Sequence, residues 1–206
     1  MIKNILFDFD GVILDSMPVR EYGFKKIFEQ YDNTLVLELL AYHNKNGGLS
    51  RYVKIRYFFE KILKQNIKEE EVNALADQFS DIMKNELINK KYLIKETVAY
   101  IKSNQHMYTF HIVSGSDENE LKFLCDKLNI AHHFKSIHGS PTHKNILVQN
   151  LLAQYNYNSQ ETILIGDSIN DYEASNINNI NFYGFNNLKL QQVSTNYIEN
   201  FKDFVL

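Results

Sequence analysis

The sequence predicts an α/β fold, in which an open, largely parallel sheet carries helices against it and a long helical insertion after its first strand. Three observations support this. Short apolar runs ending in small or acidic residues recur at wide intervals, helix-patterned stretches lie between them, and one interval is far too long for a single crossover. The 206 residues suffice for one core of ordinary size, or for a main domain carrying a smaller inserted one.

The first strand is expected at 3–8, where Ile5-Leu6-Phe7 runs into Asp8. Residues 16–92 then read as helical almost throughout. Asp15 and Ser16 precede Pro18, whose fixed φ suits a first helical turn, and Val19, Ile27, Phe28 and Tyr31 follow on roughly one face. Ser50, after the Gly47-Gly48 break, is placed to cap another helix. The clearest periodicity runs from about Lys68 to Asn89, with Val72, Leu75, Ala76, Phe79, Ile82, Met83 and Leu87 forming one stripe. Further strands are expected at 107–113, 135–138, 162–165 and 180–183, about five in all, with helices at 117–129, 142–155 and 169–178 between them. The expected division is a discontinuous core of 1–15 and 93–206, with 16–92 as a small all-helical cap domain.

Composition narrows the function classes. A hydrophobic share of 44% and a charged share of 23% are ordinary for globular proteins, and thirteen Tyr with fourteen Phe supply a well-filled interior. The net charge of -3 gives no electrostatic reason to expect nucleic acid or an anionic membrane as partner. Cys125, the single cysteine, has Leu121, Leu124 and Leu128 nearby and reads as core. The apolar run from Met1 to Phe7 meets Asp8 and Asp10 too early for a signal-peptide core, and no segment approaches the ~18 apolar residues of a membrane span. A reducing, cytoplasmic setting is expected. The seven histidines show no spacing typical of zinc, and His132 and His133, as neighbours, are expected to point apart. His43 and His143 fall nearest the proposed sites, without an assigned role.

The chemistry concentrates at strand ends. Asp8-Phe9-Asp10-Gly11 places two carboxylates where a parallel sheet presents ligands, and alternation puts Asp8 and Asp10 towards one region. Such a pair either forms a solvated acidic turn or holds a divalent cation between its like charges. Gly166-Asp167-Ser168-Ile169-Asn170-Asp171 ends a second strand and supplies further oxygen ligands of the kind Mg²⁺ takes, although Asp171 also suits a helix N-terminus. Ser114-Gly115-Ser116 is expected to follow a strand and open the helix that Asp117 begins, as a phosphate cradle or as an ordinary cap. Lys144, near the start of another helix, is either a partner for phosphate and carboxylates or a surface lysine.

With these motifs in order, the chain resembles the haloacid dehalogenase superfamily over nearly its whole length, and the resemblance implies a Rossmann-like core. Asp8-x-Asp10-Gly-Val-x-x-Asp15-Ser16 is the most specific part; Ser114, Lys144 and Gly166-Asp167-x-x-x-Asp171 match the remaining motifs. The resemblance implies that Asp8 is the nucleophile, that Asp10 is the acid and base, and that Mg²⁺ is held by Asp8, the backbone carbonyl of Asp10 and Asp167, with Asp171 in support. It further implies that Ser114, Gly115 and Lys144 bind the phosphoryl group of a small phosphorylated metabolite, a sugar phosphate being the first expectation. Asp10 argues against the dehalogenases themselves, which lack the second acid.

The insertion is where substrate choice is expected. Gly48-Leu49-Ser50-Arg51 resembles a cap loop of β-phosphoglucomutase-like members, making Arg51 either a substrate contact or part of a solvated basic face. Lys54 would lie one turn from Arg51, whereas Arg56 would point elsewhere. Arg20 stands where β-phosphoglucomutases have histidine, so it either reaches the site or covers the hinge. Asn145 after Lys144 departs from the Lys-Pro pair of phosphoglycolate phosphatase-like relatives. The expected activity is phosphomonoester hydrolysis; the alternatives are a phosphomutase and a non-catalytic phosphometabolite-binding regulator.

Overall fold

Ile5, Leu6 and Phe7 are wholly buried, as a strand covered on both faces requires. In the computed structural model, which describes residues Met1–Leu206, this segment is β1 (Asn4–Phe7). It lies at the middle of a six-stranded sheet with β2 (Thr109–Asp117), β3 (Ser136–Ser140), β4 (Thr162–Gly166), β5 (Asn181–Phe185) and β6 (Tyr197–Ile198). All neighbours are parallel, in the order β3-β2-β1-β4-β5-β6. Five strands were expected; β6 is only two residues long, too short to show any alternation.

The alternation of β1 divides the interior. Ile5 and Phe7 join a large cluster with α5 (Lys95–Asn104) and α6 (Glu118–Lys127), whereas Leu6 faces α7 (Lys144–Gln154) and α8 (Ile169–Ile177). Cys125 is buried in the first cluster, and desolvation pushes its thiol up to about 12, so it is packing rather than a reactive group.

Between β1 and α5 the chain forms α1 (Met17–Ile27), α2 (Asn33–Lys45), α3 (Arg51–Tyr57) with a π-turn at Phe58–Ile62, and α4 (Glu69–Glu86). It departs and returns side by side, since Leu14 and Leu93 form an antiparallel bridge. Ser50 caps α3 by accepting the Val53 N–H at 3.4 Å. Val72, Ala76, Phe79, Met83 and Leu87 of the α4 stripe are buried, and three glutamates in its first turn complement the helix dipole. Phe24 of α1 meets Phe79 with ring centroids 4.6 Å apart. No helix is long and apolar enough to cross a membrane.

Candidate active site

A strand order of this kind reverses its winding between β1 and β4, and ligands collect at the carboxyl ends there. Asp8 and Asp167 are the residues immediately following these two strands. The Asp8 N–H donates to the Ile165 carbonyl at 2.9 Å, which carries the sheet pairing one residue further. The loop then turns at Gly11, with φ +76; a Cβ there would lie 2.0 Å from Asp167 Oδ2, so only glycine fits.

Carboxylate oxygens of Asp8, Asp167 and Asp171 lie within 4.8 Å of one another. Asp171 is already committed: Oδ2 accepts the Ser168 N–H at 3.0 Å and its hydroxyl at 2.6 Å, and Oδ1 accepts from Lys144. Lys144 Nζ also lies 2.9 Å from Asp8 Oδ1, which takes the Phe9 N–H at 2.7 Å. The helix-cap contact expected of Asp171 is thus present, in a side chain that also belongs to the acidic cluster. Burial, followed by the charge of Asp171, pushes the Asp8 carboxyl up to about 7 despite Lys144. Burial and then Asp8 raise Asp167 well above the usual carboxylate range. Crowded hard oxygen donors with too little positive charge among them fit Mg²⁺.

The Asp10 side chain is not part of that cluster. Its Oδ1 lies 2.7 Å from Arg20 Nε and also accepts the Ser16 hydroxyl; its Oδ2 accepts the Ser116 hydroxyl at 2.5 Å. Burial alone would raise this carboxyl, but Arg20 and the two hydroxyls hold it below its usual value. Arg20 continues to Glu120 at 3.3 Å, and Arg51 reaches the other Glu120 oxygen at 2.5 Å while its guanidinium lies 4.8 Å from the Phe79 ring centroid. Arg20 therefore approaches the site, and Arg51 is buried instead of forming a solvated face. Glu120 was not anticipated, although its place beside Leu121 on the apolar side of α6 was a readable signal: a charge on a core face demands partners.

The expected phosphate cradle requires a correction. Ser114, Gly115 and Ser116 do not open a helix; β2 runs through them to Asp117, with a register shift against β3 between Val113 and Asp117. Ser-Gly-Ser reads as a chain break, but the sheet pairing overrides that local preference. The first amides of α6 are also occupied, because Asp117 accepts from Asn119 and Glu120, each at 3.0 Å. Ser114 and Gly115 nevertheless line the same cavity as Asp8, Asp10 and Asp167. Lys144, 7% exposed, is no surface lysine.

The insertion closes this cavity with Arg20, His43, Arg51 and Lys54, leaving about 20 Å³ of free space, room for about one water. Arg56 points elsewhere, as expected, towards Glu69. His143 caps α7 by position, and His132 and His133 do not point apart: in their single 3₁₀ turn the rings stand 3.9 Å from one another.

The sequence profile described as haloacid dehalogenase-like hydrolase matches residues 5–185. The chain belongs to that family. No curated protein sequence matches it. Among solved structures it is similar to a β-phosphoglucomutase from Clostridium difficile, with a TM-score of 0.79 at 18% identity over 100% of this chain and 94% of that one. It is also similar to CbbY from Rhodobacter sphaeroides in complex with phosphate, with a TM-score of 0.77 at 14% identity over 98% and 96% of the two chains. The putative hydrolase YfnB from Bacillus subtilis, bound to magnesium and described as revealing interdomain movement, gives 0.73 at 16% identity over 98% and 96%. At these identities the likeness is one of fold.

Proposed function

We propose that this chain is a Mg²⁺-dependent phosphatase that hydrolyses a small phosphorylated metabolite through an aspartyl-phosphate at Asp8. The observation supporting this reading most strongly is the meeting of Asp8, Asp167 and Lys144 at the carboxyl ends of β1 and β4. In the first step Asp8 attacks phosphorus, the bond from phosphorus to the alcohol oxygen breaks, and Asp10 passes a proton to that oxygen. In the second, Asp10 takes a proton from water as the water attacks the phosphoryl group and frees Asp8. Ser114, the Gly115 amide and Lys144 stabilise the oxygens of the transferring group. Asp8, Asp167 and the Asp10 carbonyl would hold Mg²⁺, with Asp171 in support, and the ion would offset repulsion between carboxylate and phosphate.

To carry a proton, Asp10 must loosen from Arg20, and Glu120 lies within reach to retain the guanidinium. Residues 16–92 act in this reading as a cap over a core of 1–15 and 93–206. The cavity is too small for an ester, so the cap opens to admit substrate and closes to exclude water.

Phosphate release from a panel of phosphorylated metabolites, with and without Mg²⁺, tests the proposal. Mg²⁺-dependent release is expected. A requirement for a bisphosphate activator with little net release would instead mark a phosphomutase, and tight binding without turnover a regulatory protein.

A further inference from the structure

The positive groups around the cavity are not equally committed. Arg20 is shared by Asp10 and Glu120, Arg51 is paired with Glu120, and Lys144 is held between Asp8 and Asp171. Lys54 differs: it is 3% exposed, has no carboxylate within ion-pair distance, and donates only to the Gly47 carbonyl at 3.1 Å. Beside it His43 is 1% exposed, and neither ring nitrogen has a hydrogen-bond partner. Both side chains come from the insertion and line the same cavity as Asp8 and Asp10. Burial, followed by the charge of Arg20, pushes the Lys54 ammonium down to about 7, and a buried amine with one neutral acceptor and a buried imidazole with none are costly unless a ligand completes them.

We propose that Lys54 and His43 form the subsite that reads the alcohol portion of the ester, and that this alcohol carries a carboxylate. The inference rests on the phosphatase reading above. A carboxylate supplies the single negative charge that would hold Lys54 in its ammonium form and a second oxygen for an imidazole N–H. Burial keeps that imidazole neutral, with its pKa lowered to about 2, so it donates through one nitrogen only. A second phosphate would bring up to two negative charges to one free ammonium. Arg51 offers no relief, because Glu120 already neutralises it.

The test compares kcat/KM, in Mg²⁺, for 3-phosphoglycerate, glycerol 3-phosphate and fructose 1,6-bisphosphate, which present a carboxylate, a neutral polyol and a second phosphate. The wild-type protein is expected to favour 3-phosphoglycerate over glycerol 3-phosphate by at least about tenfold. That ratio is expected to fall to within about threefold in Lys54→Met, to survive largely in Lys54→Arg, and to drop in His43→Leu more than in His43→Gln. Equal use of the carboxylate and polyol esters by the wild type overturns the inference, as does preference for the bisphosphate or an unchanged ratio in Lys54→Met. Release from these esters without discrimination removes this subsite alone, whereas no Mg²⁺-dependent release from any ester removes the phosphatase reading with it.

Discussion

Glu120 carries a full charge at a point with no water, and its two arginines make that tolerable. It sits on α6 while Arg20 and Arg51 come from the insertion, so the triad joins the two parts of the chain where they meet above Asp10. Removing the carboxylate strands two guanidiniums, one of which then has only Asp10. Glu120→Ala is expected to destabilise the protein by about 3–5 kcal/mol in urea unfolding; a loss below about 0.5 kcal/mol would mean that the triad is already broken or hydrated in solution. At this scale Asp8, Asp10, Asp167 and Lys144 were legible because acids and lysine beside strand ends and glycines have few structural uses. Their hydrogen-bond partners were not. Ser16 reads as a helix cap yet donates to Asp10, and His43, to which the sequence assigns no role, is buried with both nitrogens free.

At the scale of elements, periodicity served helices better than strand ends. The α4 stripe was readable because its buried residues repeat at three and four. The end of β2 was not, because Ser114-Gly115-Ser116 has turn chemistry and is held extended by its neighbours in the sheet. That extension matters: it brings Gly115 against the insertion, where an added Cβ would lie 2.2 Å from the Gly48 carbonyl oxygen. Tyr52 makes a second contact there, its hydroxyl donating to Asp117 at 2.9 Å. Gly115→Ala is therefore expected to hold the insertion away from the sheet, raising KM and lowering kcat together while the fold persists. Unchanged steady-state kinetics would show that closure does not bring these two backbones together.

For the whole molecule, the order β3-β2-β1-β4-β5-β6 leaves a crevice between β1 and β4, and the acidic cluster lies there. The fold class was legible from the spacing of apolar runs, and the long interval after β1 was legible as helical. The closeness of its seal was not, because no local pattern encodes how two packed units meet. A cation that binds only the native cluster must stabilise the whole chain, by about 2.7 kcal/mol at a hundred times its dissociation constant. Thermal unfolding of the wild type is thus expected to shift upwards with Mg²⁺, and that of Asp167→Asn to shift much less; equal shifts would place the ion elsewhere. The central claim concerns a covalent bond, and trapping that bond tests it most directly. Protein quenched in acid during turnover of an active phosphomonoester, then digested and analysed by mass spectrometry, is expected to carry a phosphoryl group on Asp8, with both label and turnover lost in Asp8→Asn. A phosphoryl group on another residue, or undiminished turnover in Asp8→Asn, would contradict the account.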